Sequence, residues 1–89
     1  MYLYLGQETV IKTGDIIGIF DLDNTTVSRL TRDYLAAAQK AEQVVEVTGE
    51  IPKSFVVVGN DRKSLVYLSQ ISPATLRKRA NYIKDLRSN

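Results

Sequence analysis

The chain has 89 residues, 44% hydrophobic and 25% charged, with a formal net charge of +2. That balance is ordinary for a folded protein, and the length implies one small domain with a single modest core. The sequence contains no cysteine and no histidine, which excludes disulfides, thiolate chemistry, zinc sites of the usual N/S kind and imidazole acid–base catalysis.

The longest apolar runs, such as Phe55 to Val58, are too short to cross a bilayer. No basic-then-apolar segment opens the chain, so a cytoplasmic protein without membrane attachment is expected. The charge is unevenly spread. Residues 1–50 carry four Lys/Arg against eight Asp/Glu, whereas residues 51–89 carry eight against two. Such a split favours self-association of unlike surfaces, a polyanionic partner, or both.

In chain order, "MYLYLG" alternates and stops at Gly6, which predicts a strand followed by a turn. Two more strands are expected at Thr9 to Lys12 and Ile16 to Phe20, joined by a turn at Thr13-Gly14-Asp15 and paired as hairpins. From Thr26 the period changes. Val27, Leu30, Tyr34, Ala37, Ala38, Ala41 and Val44 recur every three or four residues, which predicts the core face of a helix of roughly 16 residues. Thr25 and Thr26 are the expected N-caps. "VEVTG" returns to strand spacing and ends at Gly49. "KSFVVVGNDRKSLVYLSQI" reads as a hairpin turning at Gly59-Asn60-Asp61, with its second arm at Ser64 to Gln70. Ser72-Pro73 then opens a closing helix that runs to about Leu86, with Leu76, Ala80 and Ile83 as its core stripe. The order is β-β-β-α-β-β-β-α, an α+β fold with antiparallel pairing dominant.

The segment "IIGIFDLDNTTVS" raises the question of catalysis. Asp21-x-Asp23-x-Thr25 after an apolar run resembles the first motif of the haloacid-dehalogenase phosphatases, and "FVVVGND" resembles their later metal-binding strand end. That chemistry needs its carboxylates at the carboxyl ends of several parallel strands. Only 39 residues separate Asp21 from Asp61, and one βαβ unit alone takes roughly 30. A turn before a helix N-terminus accounts for the same letters, because the helix dipole favours carboxylates there and Asx side chains form turns. The expectation is no enzyme: no catalytic residue, metal, cofactor or small-molecule substrate.

Four blocks, "MYLYLG", "DIIGIFDLDNTT", "PKSFVVV" and "SPATLRKRA", stand in an order and spacing that resembles the bacterial extracellular matrix regulatory protein B family (RemB), sibling of the matrix regulator RemA. The resemblance spans Met1 to about Tyr82. It implies a small α+β protomer, ring-like homo-oligomers, and binding of double-stranded DNA in the control of biofilm-matrix genes. The resemblance to RemA-type proteins implies basic residues where this chain has Asp15, Glu50 and Ile51; Lys53 and Arg79 match basic positions.

Independently of the family, Arg29, Arg32 and Lys40 fall within about 80° of one another on the first helix, opposite the predicted apolar stripe and with no acid among them. Cations so placed suit phosphate contacts, which give affinity and salt dependence but little base reading. In the last helix Arg77 lies on a flank. Arg79 projects beside the apolar face, a position that suits an ion pair between protomers or a side chain reaching for water. The five tyrosines do not interleave with the cations as a base-stacking platform would; Tyr2, Tyr4 and Tyr34 are expected in the core or an interface. The residues expected to contact DNA are therefore Arg29, Arg32, Lys53 and Arg77, with Arg79 at an oligomer interface. The competing expectation is an oligomeric interaction protein that does not bind nucleic acid.

Overall fold

The computed structural model describes residues 1–22, 28–59 and 63–88, with side chains as far as residue 80. The element order is the expected one. Strands β1 (Tyr2–Gly6) and β2 (Thr9–Lys12) form a two-stranded antiparallel sheet. Leu3, Leu5 and Ile11 point inward and are buried, whereas Tyr2, Tyr4 and Val10 point outward and are exposed. Gln7 and Glu8 turn the chain with φ of 49° and 64°, the left-handed pair whose twist matches that of the flanking strands.

A single 3₁₀ turn, Thr13–Asp15, leads into β3 (Ile16–Asp21). Here the structure corrects the hairpin expected between the second and third strands. β3 leaves the first sheet and becomes the edge of a second one, whose order is β3-β5-β6-β4. Its partners are β4 (Val44–Glu46), β5 (Ser54–Gly59) and β6 (Ser64–Ser69). β5 pairs antiparallel with both β3 and β6, while β4 lies parallel to β6. β5 is buried along almost its whole length because it is central, with a covered surface on each side.

Helix α1 (Arg29–Lys40) carries the chain from one edge of this sheet to the other. Helix α2 (Pro73–Ser88) closes the chain. Alternation along β5 separates two cores. Val56 and Val58 face Leu3, Leu5, Ile11 and Leu76, contributed by the hairpin and α2. Phe55 and Val57 face Ala38 and, less deeply, Leu35, both from α1. The molecule is thus layered: α1, then the four-stranded sheet, then the hairpin with α2.

Serines fasten the last two layers. Ser69 Oγ donates to the Leu5 carbonyl at 2.8 Å and accepts from the Ile71 amide at 3.1 Å. Ser54 Oγ donates to the Ile71 carbonyl at 2.8 Å. Both residues are fully buried and each hydroxyl has a partner, as buried polar groups require. Ser72 caps α2 as expected, its Oγ accepting from the Thr75 amide at 3.3 Å, with Pro73 in the first turn.

The first helix departs from its expected form. It spans 12 residues rather than about 16, and its N-cap is Ser28, whose Oγ accepts from the Thr31 amide at 3.1 Å. Thr25, Thr26 and Val27 lie outside the described residues, as does Asp23 of the phosphatase-like motif. The expected apolar stripe is also rotated. Leu30 is 83% exposed, and Tyr34, Ala37 and Ala41 are exposed as well. Of the expected stripe, Ala38 and, past the helix, Val44 do pack in the core of Phe55 and Val57, joined by Leu35, which that stripe did not include.

Candidate assembly and nucleic-acid surfaces

The rotation of α1 leaves a groove between the helix and the edge strand. Ile17 and Phe20 of β3 form one wall, Leu30, Thr31 and Tyr34 of α1 the other, and Phe55 and Val57 the floor, enclosing about 320 Å³. Phe20 stacks on Phe55 with ring centroids 4.8 Å apart and planes 19° apart. A Cβ at Gly18 would lie 2.5 Å from the Phe20 ring, so the absence of a side chain there lets the ring lie flat along its strand. Ile17 is 67% exposed. Phe20, Leu30 and Tyr34 are exposed beside it, so the groove is rimmed by apolar side chains open to solvent.

Residue by residue, the expected DNA contacts divide into two groups. Arg29 and Arg32 stand in the first turns of α1 and are exposed. Lys53, also exposed, immediately precedes β5; its carbonyl accepts from the Leu22 amide at 2.9 Å and its amide donates to the Ser69 carbonyl at 2.8 Å. Leu30 and Thr31 line the same groove as Phe20 and Phe55, which stand two residues from Leu22 and Lys53. β3 ends at Asp21 opposite Ser54, and α1 leads from that end back toward Val44, so Arg29 and Arg32, which open α1, and Lys53, which precedes Ser54, stand at the same end of the sheet. Lys40 stands at the other end of α1.

Asp33 modifies the expectation of an acid-free basic face. Its Oδ2 lies 4.0 Å from Arg29 Nε, but the side chains are 91% (Arg29) and 70% (Asp33) exposed. An exposed i,i+4 pair of this kind contributes only about 0.3–0.5 kcal/mol, too little to remove Arg29 from competition for a phosphate.

Arg77 stands apart from that group. Its Nη2 donates to the Ile19 carbonyl at 2.6 Å, so the guanidinium occupies a carbonyl of the edge strand β3. Guanidinium has five donors, and those remaining are open to other partners. Arg79 is exposed on α2, two residues farther along.

Asp21, the first carboxylate of the phosphatase-like motif, closes an antiparallel edge strand opposite Ser54. Among the described residues no parallel sheet presents it at a carboxyl end. Tyr2, Tyr4 and Tyr34 are all exposed, so none belongs to the core of the chain. The sequence reading missed Ile17 and Phe20 altogether. Their signal was available: "IIGIF" has apolar residues of both parities, more than one buried face of an edge strand can absorb.

A family model for extracellular matrix regulatory protein A-like chains (RemA-like) matches residues 2–80. The chain belongs to this family. Extracellular matrix regulatory protein B of Bacillus subtilis (strain 168) is 38% identical over 88 residues, which cover 99% of this chain and 100% of that protein. Asp15, Glu50 and Ile51, where the resemblance to RemA-type proteins implies basic residues, are all exposed. Asp15 shares a shallow cleft of about 280 Å³ with Lys12 and Lys63. The Glu50 amide donates to Thr48 Oγ1 at 3.1 Å.

Proposed function

We propose that the protein is a cytoplasmic regulator of extracellular-matrix genes that works as a ring-like homo-oligomer and binds duplex DNA through one end of each protomer. The regulatory role rests on family membership and on the full-length similarity to extracellular matrix regulatory protein B, names that describe a regulator rather than an enzyme. No helix among the described residues is long and apolar enough to cross a membrane.

The observation that carries the DNA reading is the placement of Arg29, Arg32 and Lys53, all exposed, at the same end of the sheet. Arg77, apart from that group, is the fourth proposed contact, through the donors it does not spend on the Ile19 carbonyl. Each cation neutralises one phosphate at most, so a lone protomer binds weakly. Repetition around an oligomer multiplies the contacts through effective concentration.

Retention of duplex DNA across a salt series tests this. Affinity falls steeply with salt, in proportion to the phosphates neutralised. Arg29→Ala combined with Arg32→Ala weakens binding to all sequences and flattens the slope, while the particle mass stays the same. Unchanged binding in that double variant places the contacts on another face.

Asp15, Glu50 and Ile51 favour a second reading, in which the oligomer recruits other proteins and never touches DNA. An intact oligomer that retains no duplex even at low salt selects it.

A further inference from the structure

We infer that the occupant of the α1/β3 groove is the outer face of the β1–β2 hairpin from a second copy of this chain. This rests on the homo-oligomer reading and supplies its contact surfaces. The protomer exposes two apolar faces. One is the groove of Ile17, Phe20, Leu30 and Tyr34; the other is the outward side of the hairpin, where Tyr4 stands opposite Val10 and Tyr2 opposite Lys12. They belong to the outer layers on opposite sides of the four-stranded sheet, because the hairpin covers Val56 and Val58 while α1 covers Phe55 and Val57.

Their shapes differ in a complementary way. The groove is concave, with about 320 Å³ to fill. The hairpin face presents two tyrosine rings, 62% and 49% exposed, large amphipathic anchors of the kind that fill interface pockets. Neither face matches itself: two grooves placed mouth to mouth stay unfilled, and two hairpin faces bring tyrosine rings against each other with no pocket to receive them. Lys12, the sole Lys or Arg among residues 1–28, shares the hairpin face with the tyrosines; on α1, Asp33 stands beside Tyr34 with Arg29 Nε 4.0 Å from its carboxylate.

The competing mode, strand addition along the open side of β3, is obstructed. Arg77 occupies the Ile19 carbonyl, and the register of β3 slips between Ile16 and Gly18. Charged side chains and bulges are the devices that protect an edge strand from pairing. Contact between unlike faces on opposite sides of a protomer is heterologous, and it propagates until the rotation closes it.

A mixing experiment decides between these modes. Tyr2→Glu with Tyr4→Glu makes a hairpin variant, and Leu30→Glu with Tyr34→Glu makes a groove variant; circular dichroism and urea unfolding establish that both fold. Each alone sediments as a monomer, and an equimolar mixture gives a species of two chains, because each supplies the face the other lacks. Self-association of the hairpin variant at wild-type strength overturns the inference, as does a mixture that stays monomeric. If both variants keep the wild-type mass, the contact lies elsewhere and the inference fails, although the homo-oligomer reading stands. A monomeric wild type overturns both.

Discussion

Glu42 ends α1 in a conformation that suits another residue. Its φ is 58°, in the left-handed region that glycine occupies without steric cost. Around it the Gln43 amide donates to the Ala38 carbonyl at 2.9 Å and the Glu42 amide to the Gln39 carbonyl at 3.0 Å, the paired bonds of a Schellman end. Glu42→Gly is therefore expected to stabilise the protomer by up to about 1 kcal/mol, seen as a higher urea midpoint with an unchanged slope. Ser69→Ala acts in the opposite direction. It removes the partner of the buried Leu5 carbonyl and of the part-buried Ile71 amide, at a cost of about 1–3 kcal/mol in the same assay. Legibility at this scale follows side-chain chemistry. Ser72-Pro73 could be read as a cap and first turn because both residue types favour those positions. Nothing in a glutamate announces a left-handed backbone, and nothing in Ser69 announces a carbonyl 64 residues away.

At the scale of elements, α1 is the informative case. Its apolar residues fall into two stripes rather than one: Leu30, Tyr34, Ala37 and Ala41 on one side, Leu35 and Ala38 on the other. Periodicity locates apolar faces but does not say which of two faces meets the home sheet. The four-stranded sheet takes the narrower stripe, since small Ala38 permits close approach to Phe55, Val57 and Val66. Stability should follow the structure rather than the longer stripe. Leu35→Ala is expected to cost about 1–2 kcal/mol, reduced from the fully buried value because the side chain is only half-buried. Leu30→Ala at monomer-forming dilution should change stability by less than about 0.5 kcal/mol. A reversed ranking in urea titrations would contradict the assigned face. The strands other than β4 were legible one by one from their alternation and turns, whereas β4 covers Val44–Glu46 and stops short of the expected end at Gly49. The partition of β2 and β3 into different sheets was not, because it depends on β5, which arrives more than 30 residues later.

For the whole molecule, three layers leave apolar surface on both outer sides and place Arg29, Arg32 and Lys53 at the same end of the sheet. The family and its extent could be read from four sequence blocks. The groove could not, since it exists only once α1 is docked beside β3. Gly18 links the two scales: Gly18→Ala displaces the Phe20 ring from its flat position, so it should weaken association more than it weakens the fold. Comparing its sedimentation with its urea midpoint checks that expectation. The central claim, a homo-oligomer that carries DNA, is tested most directly by particle mass measured at low and high salt, with and without duplex DNA. The prediction is a multiple of the 10.0 kDa chain at both salt concentrations, gaining the mass of DNA only at low salt. A stable 10.0 kDa species at micromolar concentration, or an oligomer whose mass never changes with DNA, would contradict it.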